Sequence, residues 1–287
     1  MYRRILGTIA VLTIGGIGSL PGQAPNYETT AAAEGIYSFR WVGHNGMFVV
    51  TPAGVVAFDP ISVEAAATFA SEIKRIAPGQ PLVAVVYSHS DADHATGARA
   101  MISAMGQENV PIIAHELAVE PIRSRGNPEQ PEPTVTFARR MAFAPGGRRI
   151  ELHYLGRSHT DNMLVGFVPD AGIAFAVDFV AKDRMGYRDL ASFYFPDQLN
   201  AIHRLLDLPF QTVMFGHGPP GDRAVIQRQL TYYDDLRAAV QAAIRKGLTE
   251  DQAAEQIRLE EYSSWGQYEA WFTMNVRGLY RVYSGKE

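Results

Sequence analysis

Ser88-His89-Ser90-Asp91-Ala92-Asp93-His94 is the stretch on which the reading of this chain turns. It directly follows Leu82–Tyr87 (LVAVVY), a continuous apolar run of the kind expected for a strand buried on both faces. Two imidazoles and two carboxylates follow this strand with no apolar residue larger than alanine between them. A loop turns alternate side chains the same way, so His89, Asp91 and Asp93 can converge while His94 opens the next helix. Neutral imidazole and carboxylate oxygen are the usual ligands of zinc and of divalent iron or manganese.

Three later positions repeat the theme. His159 lies in Gly156-Arg157-Ser158-His159-Thr160-Asp161-Asn162, a turn between two expected strands. Asp178 ends the apolar run Ile173–Val177. His217 sits in Phe215-Gly216-His217-Gly218-Pro219, where the glycines permit close backbone approach. Ligand-type side chains therefore recur at the ends of successive strands. No phosphate-binding loop with its Lys-Ser/Thr and no Gly-x-Ser-x-Gly elbow accompanies them.

Around these points the chain alternates. Ile36–Val42, Met47–Val50 and Val55–Phe58 read as a meander of short strands split by Gly43, Gly46 and Pro52-Ala53-Gly54. Ser62 is placed to cap a helix over Val63–Ile76, closed by Pro78-Gly79. A helix is expected through Ala104, a strand over Val110–Ala114 and a helix to Arg125. Asn127–Pro133 (NPEQPEP) reads as a surface loop or a flap over a site. Strands resume at Ile150–Leu155, Met163–Val168 and Ile173–Val177. Pro196 opens a helix to Leu206, and Thr212–Phe215 is the last strand expected. The remainder reads as helix. There Thr249 and Gln252 have capping-box spacing, and Trp265, Tyr268, Phe272, Val276, Leu279 and Tyr283 recur at helical intervals as a core stripe. Strands, strand–helix pairs, strands and then helices make a mixed α/β chain of two similar halves.

This pattern resembles the metallo-β-lactamase superfamily, whose signature is His-x-His-x-Asp-His followed by a His, an Asp and a His. Order and spacing agree over residues 35–220. The resemblance implies a four-layer αβ/βα sandwich with extra C-terminal helices, and two divalent metal ions, zinc first, at the sheet edges between the halves. It places His89 and His159 on the first metal and Asp93, His94 and His217 on the second, with Asp178 bridging. Asp59, in Phe58-Asp59-Pro60, matches a family Asp that braces the ligand loop. One position departs: the family's second histidine is Asp91 here. A third carboxylate lowers the formal charge of a two-ion site by one, and a harder oxygen donor moves preference from zinc toward iron or manganese. The alternative is that Asp91 faces away and one metal is held.

By the same resemblance the expected activity is metal-assisted hydrolysis of an ester, lactone, thioester or amide bond, β-lactams included, in a small molecule. Asp93 would orient the attacking water as well as ligate. A second reading is a mono-iron sulfur dioxygenase built on His89, His159 and Asp178, and a third is a decayed, non-catalytic binding protein. His44, in Gly43-His44-Asn45-Gly46, is a candidate for contact with substrate from a loop at the site mouth. Lys182, four residues after Asp178, is another, with Arg184 and Tyr187 beside it. His115, His153 and His203 read as surface or satisfied histidines.

Composition narrows the field. The chain has 287 residues, 47% hydrophobic and 20% charged, with a net charge of −4. That suits a globular protein of one large or two small domains and gives no basic field for nucleic acid. It has no cysteine, which removes disulfides, thiolate ligands and a lipid anchor at cysteine. Residues 1–24 carry Arg3 and Arg4, the apolar run Ile5–Ile14, then glycines, the order of an export signal with Gly22-Gln23-Ala24 as its cleavage site. A retained anchor or a buried first helix are the alternatives. The expected division is therefore 1–24 as signal or anchor, 25–222 as the metal-binding domain and 223–287 as a helical extension packed on it. The protein is expected in the periplasm, with no membrane contact beyond its N-terminal segment and with the C-terminal helices closing the pocket or forming a homodimer face.

Overall fold

The structure is a computed structural model that describes residues 27–285, so the expected export signal lies outside the described residues. Two sheets dominate it. The first has seven strands in sequential order: β1 (Tyr27–Ala33), β2 (Ile36–Trp41), β3 (His44–Thr51), β4 (Gly54–Phe58), β5 (Leu82–Val86), β6 (Ile112–His115) and β7 (Val135–Phe137). Strands β1–β4 form an antiparallel meander, and β4–β7 run parallel through helical crossovers. The second has five strands in the order β12-β11-β10-β9-β8. These are β8 (Arg140–Phe143), β9 (Ile150–Tyr154), β10 (Leu164–Val168), β11 (Ile173–Ala176) and β12 (Thr212–Phe215), with only the β11–β12 pair parallel.

Two-residue periodicity sends the first sheet's side chains into two different cores. Phe48, Val55, Ala57, Val85 and Tyr87 pack with Phe69 and Ile73 of α1 (Val63–Ile76) and Met101 of α3 (Ala98–Ala104). Their neighbours Met47, Val49, Val56, Phe58, Ala84 and Val86 point the other way, onto the second sheet. Both faces of β4 and β5 are thus covered, which is why these strands read as unbroken apolar runs. The second core continues through β10 and β11 into α5 (Asp197–Asp207), α6 (Arg223–Arg245) and α8 (Tyr268–Ser284), and includes Trp265, Tyr268, Phe272, Val276 and Leu279 of the aromatic stripe. α7 (Glu250–Gln256) joins the last two long helices behind the capping box of Thr249 and Gln252. Among the described residues no helix is long and apolar enough to cross a membrane.

Several local expectations are corrected. Gly43 lies in the turn that splits β2 from β3, as expected, but Gly46 makes no break, because β3 runs unbroken from His44 to Thr51. A side chain at Gly46 would meet the Asp59 carbonyl at 2.5 Å, so its glycine serves the close passage of β4's end rather than a break. The helix expected up to Ala104 is two pieces, α2 (Ala92–Ala95) and α3, parted at Gly97, where a side chain would strike the Pro60 and Ser62 carbonyls. β1, β7 and β8 were not expected. β1 is largely exposed and alanine-rich, and β7 and β8 are short edge strands, so pairing defines them where local pattern is faint. Asn127–Pro133 does not line the cavity that holds the ligand-type residues. It follows α4 (Val119–Arg125), and its Gln130 is buried and donates from Nε2 to the Ser90 carbonyl at 2.7 Å, bracing the ligand loop from behind.

Candidate metal centre

Every ligand-type residue singled out at a strand end comes to the same edge of the two packed sheets. The loop 88–94 leaves β5, His159 sits between β9 and β10, Asp178 follows β11, and His217 follows β12. Backbone bonds lock these ends together: Leu164 N donates to Ser88 O at 2.7 Å, and Asn45 N to Gly216 O at 2.7 Å. Asn45 Nδ2 adds bonds to the carbonyls of Phe215 and Gly218, at 2.9 and 2.8 Å. Gly216 is required by proximity, since a side chain there would lie 2.5 Å from Val177 Cγ1 and 2.9 Å from both Asp178 Oδ1 and His94 Cε1.

The ligand atoms form two adjoining groups. In one, His89, Asp91 and His159 each offer an atom within 4.8 Å of the others, and in the second Asp93, His94, Asp178 and His217 do the same. Asp91 Oδ2 is 3.5 Å from His89 Nε2 and 3.3 Å from His159 Nε2, so it faces inward. Asp178 Oδ2 lies 3.2 Å from His94 Nε2, 3.6 Å from His89 Nε2 and 3.8 Å from His159 Nε2, which puts it between the groups. Its φ of +62° and the +49° of Asp59 are left-handed values uncommon away from glycine, the kind of backbone cost found where function fixes a side chain.

Hydrogen bonds set which ring nitrogen is available. Asp59 is fully buried; its Oδ1 accepts from Ser88 N at 2.7 Å and its Oδ2 from Ser88 Oγ at 2.6 Å. The single hydroxyl proton of Ser88 is spent on Asp59, so Ser88 Oγ accepts from His89 Nδ1 at 2.8 Å, leaving the His89 Nε2 lone pair facing the centre. His217 Nδ1 donates to Gly43 O at 2.7 Å, and its Nε2 then faces Asp178 Oδ1 at 3.2 Å, a lone pair against a carboxylate unless a cation stands between. His89 Nε2, His94 Nε2 and Asp178 Oδ1 are buried without a hydrogen-bond partner. Such atoms cost stability when left unanswered, and divalent cations held by the two groups would answer all three. The donor set of imidazole nitrogen and carboxylate oxygen fits zinc, iron or manganese.

Electrostatics agree. Burial alone would raise the Asp178 carboxyl, but the charges and hydrogen bonds of His94, His217 and His89 hold it well below the ordinary carboxylate range. Asp91 is likewise opposed by burial and depressed by His159 and His89. Burial would lower His94, yet Asp178 and Asp59 raise it well above an ordinary histidine. The cluster is thus built to hold positive charge next to its carboxylates, whether carried by protons or by metal.

These groups open into a cavity of about 500 Å³. His44 lines it as the first residue of β3, not from a loop, with Nε2 3.2 Å from Asp93 Oδ2. Arg184 and Tyr187 also line it, whereas Lys182 is exposed and is absent from its walls. Gln229 and Tyr233 of α6 and Trp271 of α8 complete the wall and carried no local signal, being ordinary members of amphipathic helices. The C-terminal helices therefore close the pocket. His115 is buried and satisfied by the Ala138 carbonyl and Leu117 N, His153 pairs with Glu151, and His203 is exposed.

A family model described as the metallo-beta-lactamase superfamily matches residues 39–217. The chain belongs to this superfamily. Among solved structures, a metallo-beta-lactamase from Pontibacter korlensis is 25% identical with a TM-score of 0.60, the match covering 71% of this chain and 97% of that one. A metallo-beta-lactamase from Erythrobacter litoralis is 19% identical with a TM-score of 0.61, covering 74% and 98%. The stereoselective inverting sec-alkylsulfatase Pisa1 from Pseudomonas sp. is 17% identical with a TM-score of 0.73, covering 91% of this chain and 51% of its own. This superfamily member thus spans about half of the sulfatase, and the last two likenesses show the fold alone. The fold is the mixed α/β two-sheet architecture that the resemblance implied.

Proposed function

We propose that this protein is a metal-dependent hydrolase of small molecules that cleaves an ester, lactone, thioester or amide bond, β-lactams included. The observation that carries the reading is the convergence of seven ligand-type side chains, from four separated segments, into two adjoining groups at the floor of one cavity. His89, Asp91 and His159 would hold one divalent ion and Asp93, His94 and His217 a second, with Asp178 shared. When bound, such ions lower the pKa of water toward 7 and polarise the scissile group. The protein's own part is positional. The Asp59–Ser88–His89 chain fixes one imidazole's tautomer, the Gly43 carbonyl fixes that of His217, and His44 steadies the Asp93 carboxylate beside the water it would orient. Helices α6 and α8 narrow the space from which bulk water reaches the bond.

A second ion-binding group beside the first supports two metals over the mono-iron oxidative reading, which needs only His89, His159 and Asp178. Sulfate esters belong among the substrates tested, because the likeness to Pisa1 extends over 91% of the chain where the two β-lactamases reach 71% and 74%. Export to the periplasm remains our reading of residues 1–24, checked by cell fractionation of the full-length protein. The deciding experiment is metal quantification on purified protein followed by a panel of carboxylic esters, lactones, β-lactams and sulfate esters. Two metals per chain and chelator-sensitive turnover are expected. A single iron with oxygen uptake, or turnover indifferent to metal, would overturn the reading.

A further inference from the structure

Ser90 stands between two ligand-type residues, His89 and Asp91, and both its backbone N–H and its carbonyl are held by side chains. The N–H donates to Asn162 Oδ1 at 2.8 Å. The carbonyl oxygen, in the peptide that enters Asp91, accepts from Arg125 Nη1 and from Gln130 Nε2, each at 2.7 Å. Arg125 Nη1 also donates to Gln130 Oε1 at 2.7 Å, which fixes the amide with its NH2 turned toward Ser90. One donor is the last residue of α4, and the other is buried in the loop after it. That loop is tied down in turn, since Tyr87 at the end of the β5 run donates from its hydroxyl to Pro131 O at 3.1 Å. Bonds from a guanidinium are stronger than neutral ones, so this is a firm grip on a single carbonyl.

Asp91 shows what the grip accomplishes. It occupies the N-cap position of α2, with φ −66° and ψ 145°. An aspartate there ordinarily turns its carboxylate back onto the N–H groups of the first helical turn. Asp91 makes no such bond, and its Oδ2 lies instead 3.5 Å from His89 Nε2 and 3.3 Å from His159 Nε2. Capping and ligation compete for one carboxylate. The rotation of the Ser90–Asp91 peptide sets which way that carboxylate points, and Arg125 and Gln130 hold this peptide by its oxygen.

From this arrangement we infer that Arg125 and Gln130 are positioning residues for the metal centre, which through the Ser90 carbonyl keep Asp91 as a metal ligand and out of the helix-capping role. The inference rests on the metal-centre part of the function proposed above and is independent of which bond is cleaved. It carries a consequence for selectivity. Loosening the grip withdraws a hard oxygen donor and leaves the imidazoles in place, so manganese loses more than zinc.

The test is the affinity of the full-length protein for manganese and for zinc, each read by competition with a chromophoric chelator. Arg125 is exposed, so Arg125→Met removes one donor without opening the core, and Gln130→Leu removes the buried one. In both variants manganese affinity is expected to fall about tenfold and zinc affinity by less, within the usual range for the loss of an outer partner. Ser88→Ala supplies the contrast. It acts through the His89 imidazole and should cost zinc more than manganese. Unchanged affinities in Arg125→Met, or equal losses for the two metals as a general loosening of the fold would give, would overturn the inference. Wild-type protein that binds neither metal would overturn the metal centre and the inference together. Wild type that binds metal while Arg125→Met leaves its preference unmoved removes the inference alone. A shifted preference in protein that hydrolyses nothing removes the hydrolase reading alone.

Discussion

At the residue scale the centre depends on proton placement as much as on ligand identity. Ser88→Ala removes the hydroxyl that hands Asp59's orienting effect to His89 Nδ1, without touching a ligand atom. Metal affinity should fall by about 10–100-fold, the usual loss for such an outer partner, as read by competition with a chromophoric chelator. His89→Ala and Asp178→Ala delete a ligand outright, and each should abolish turnover and lower metal content with the circular-dichroism spectrum retained. Asp91→His should strengthen zinc binding at the expense of manganese, because it exchanges a hard oxygen for imidazole in a group where Asp91 already faces two histidines. Unchanged selectivity would show that Asp91 is not a ligand.

The same residues give a pH signature. In metal-free protein His94 and His159 are raised above the ordinary histidine value of about 6.5, so the folded state holds more protons than the unfolded one. Their contribution to stability is complete below about pH 6.5 and is lost as pH rises through their folded values. Asp91 and Asp178 are depressed, so their contribution is present above about pH 4 and is lost as pH falls through their folded values. Metal reverses the upper limb, because it binds deprotonated imidazole and releases protons. The urea midpoint of metal-free protein should therefore decline as pH rises above about 6.5, and that of the loaded protein should not. Parallel profiles would refute the charge model of the centre.

At the element scale, strand ends and one-residue contacts hold the ligands in place. The β12 turn can carry His217 to the centre only because Gly216 leaves room for Val177, Asp178 and His94. Gly216→Ala should cost about 1–3 kcal/mol by overpacking and reduce bound metal, measured by chemical unfolding with metal analysis on the same sample. The 127–133 segment shows the reverse relation of appearance to role. Its prolines and polar residues read as a surface loop, yet buried Gln130, with Arg125 at 2.7 Å, holds the Ser90 carbonyl from the side away from the cavity.

For the whole molecule, the second core ties the two sheets to α5, α6 and α8, so the cavity wall and the ligand floor belong to one packed unit. Chelation should lower the thermal midpoint, and re-addition of metal should restore it in proportion to the logarithm of free metal. A midpoint unmoved by chelator would mean that the ligand groups close without a cation.

Strand LVAVVY, the helix capped by Ser62, and the inventory of His and Asp residues were legible in the sequence, because apolar periodicity, caps and side-chain chemistry are properties of neighbours along the chain. β1, β7 and β8 were not, since their pattern is weak and their strands exist through partners. Only the tertiary structure decided that Asp91 faces His89 and His159, that Lys182 stands outside the cavity while Arg184 lies within it, and that Trp271 forms part of its wall. Those outcomes depend on the register and packing of sheets and helices brought together from distant parts of the chain, and no local pattern encodes them.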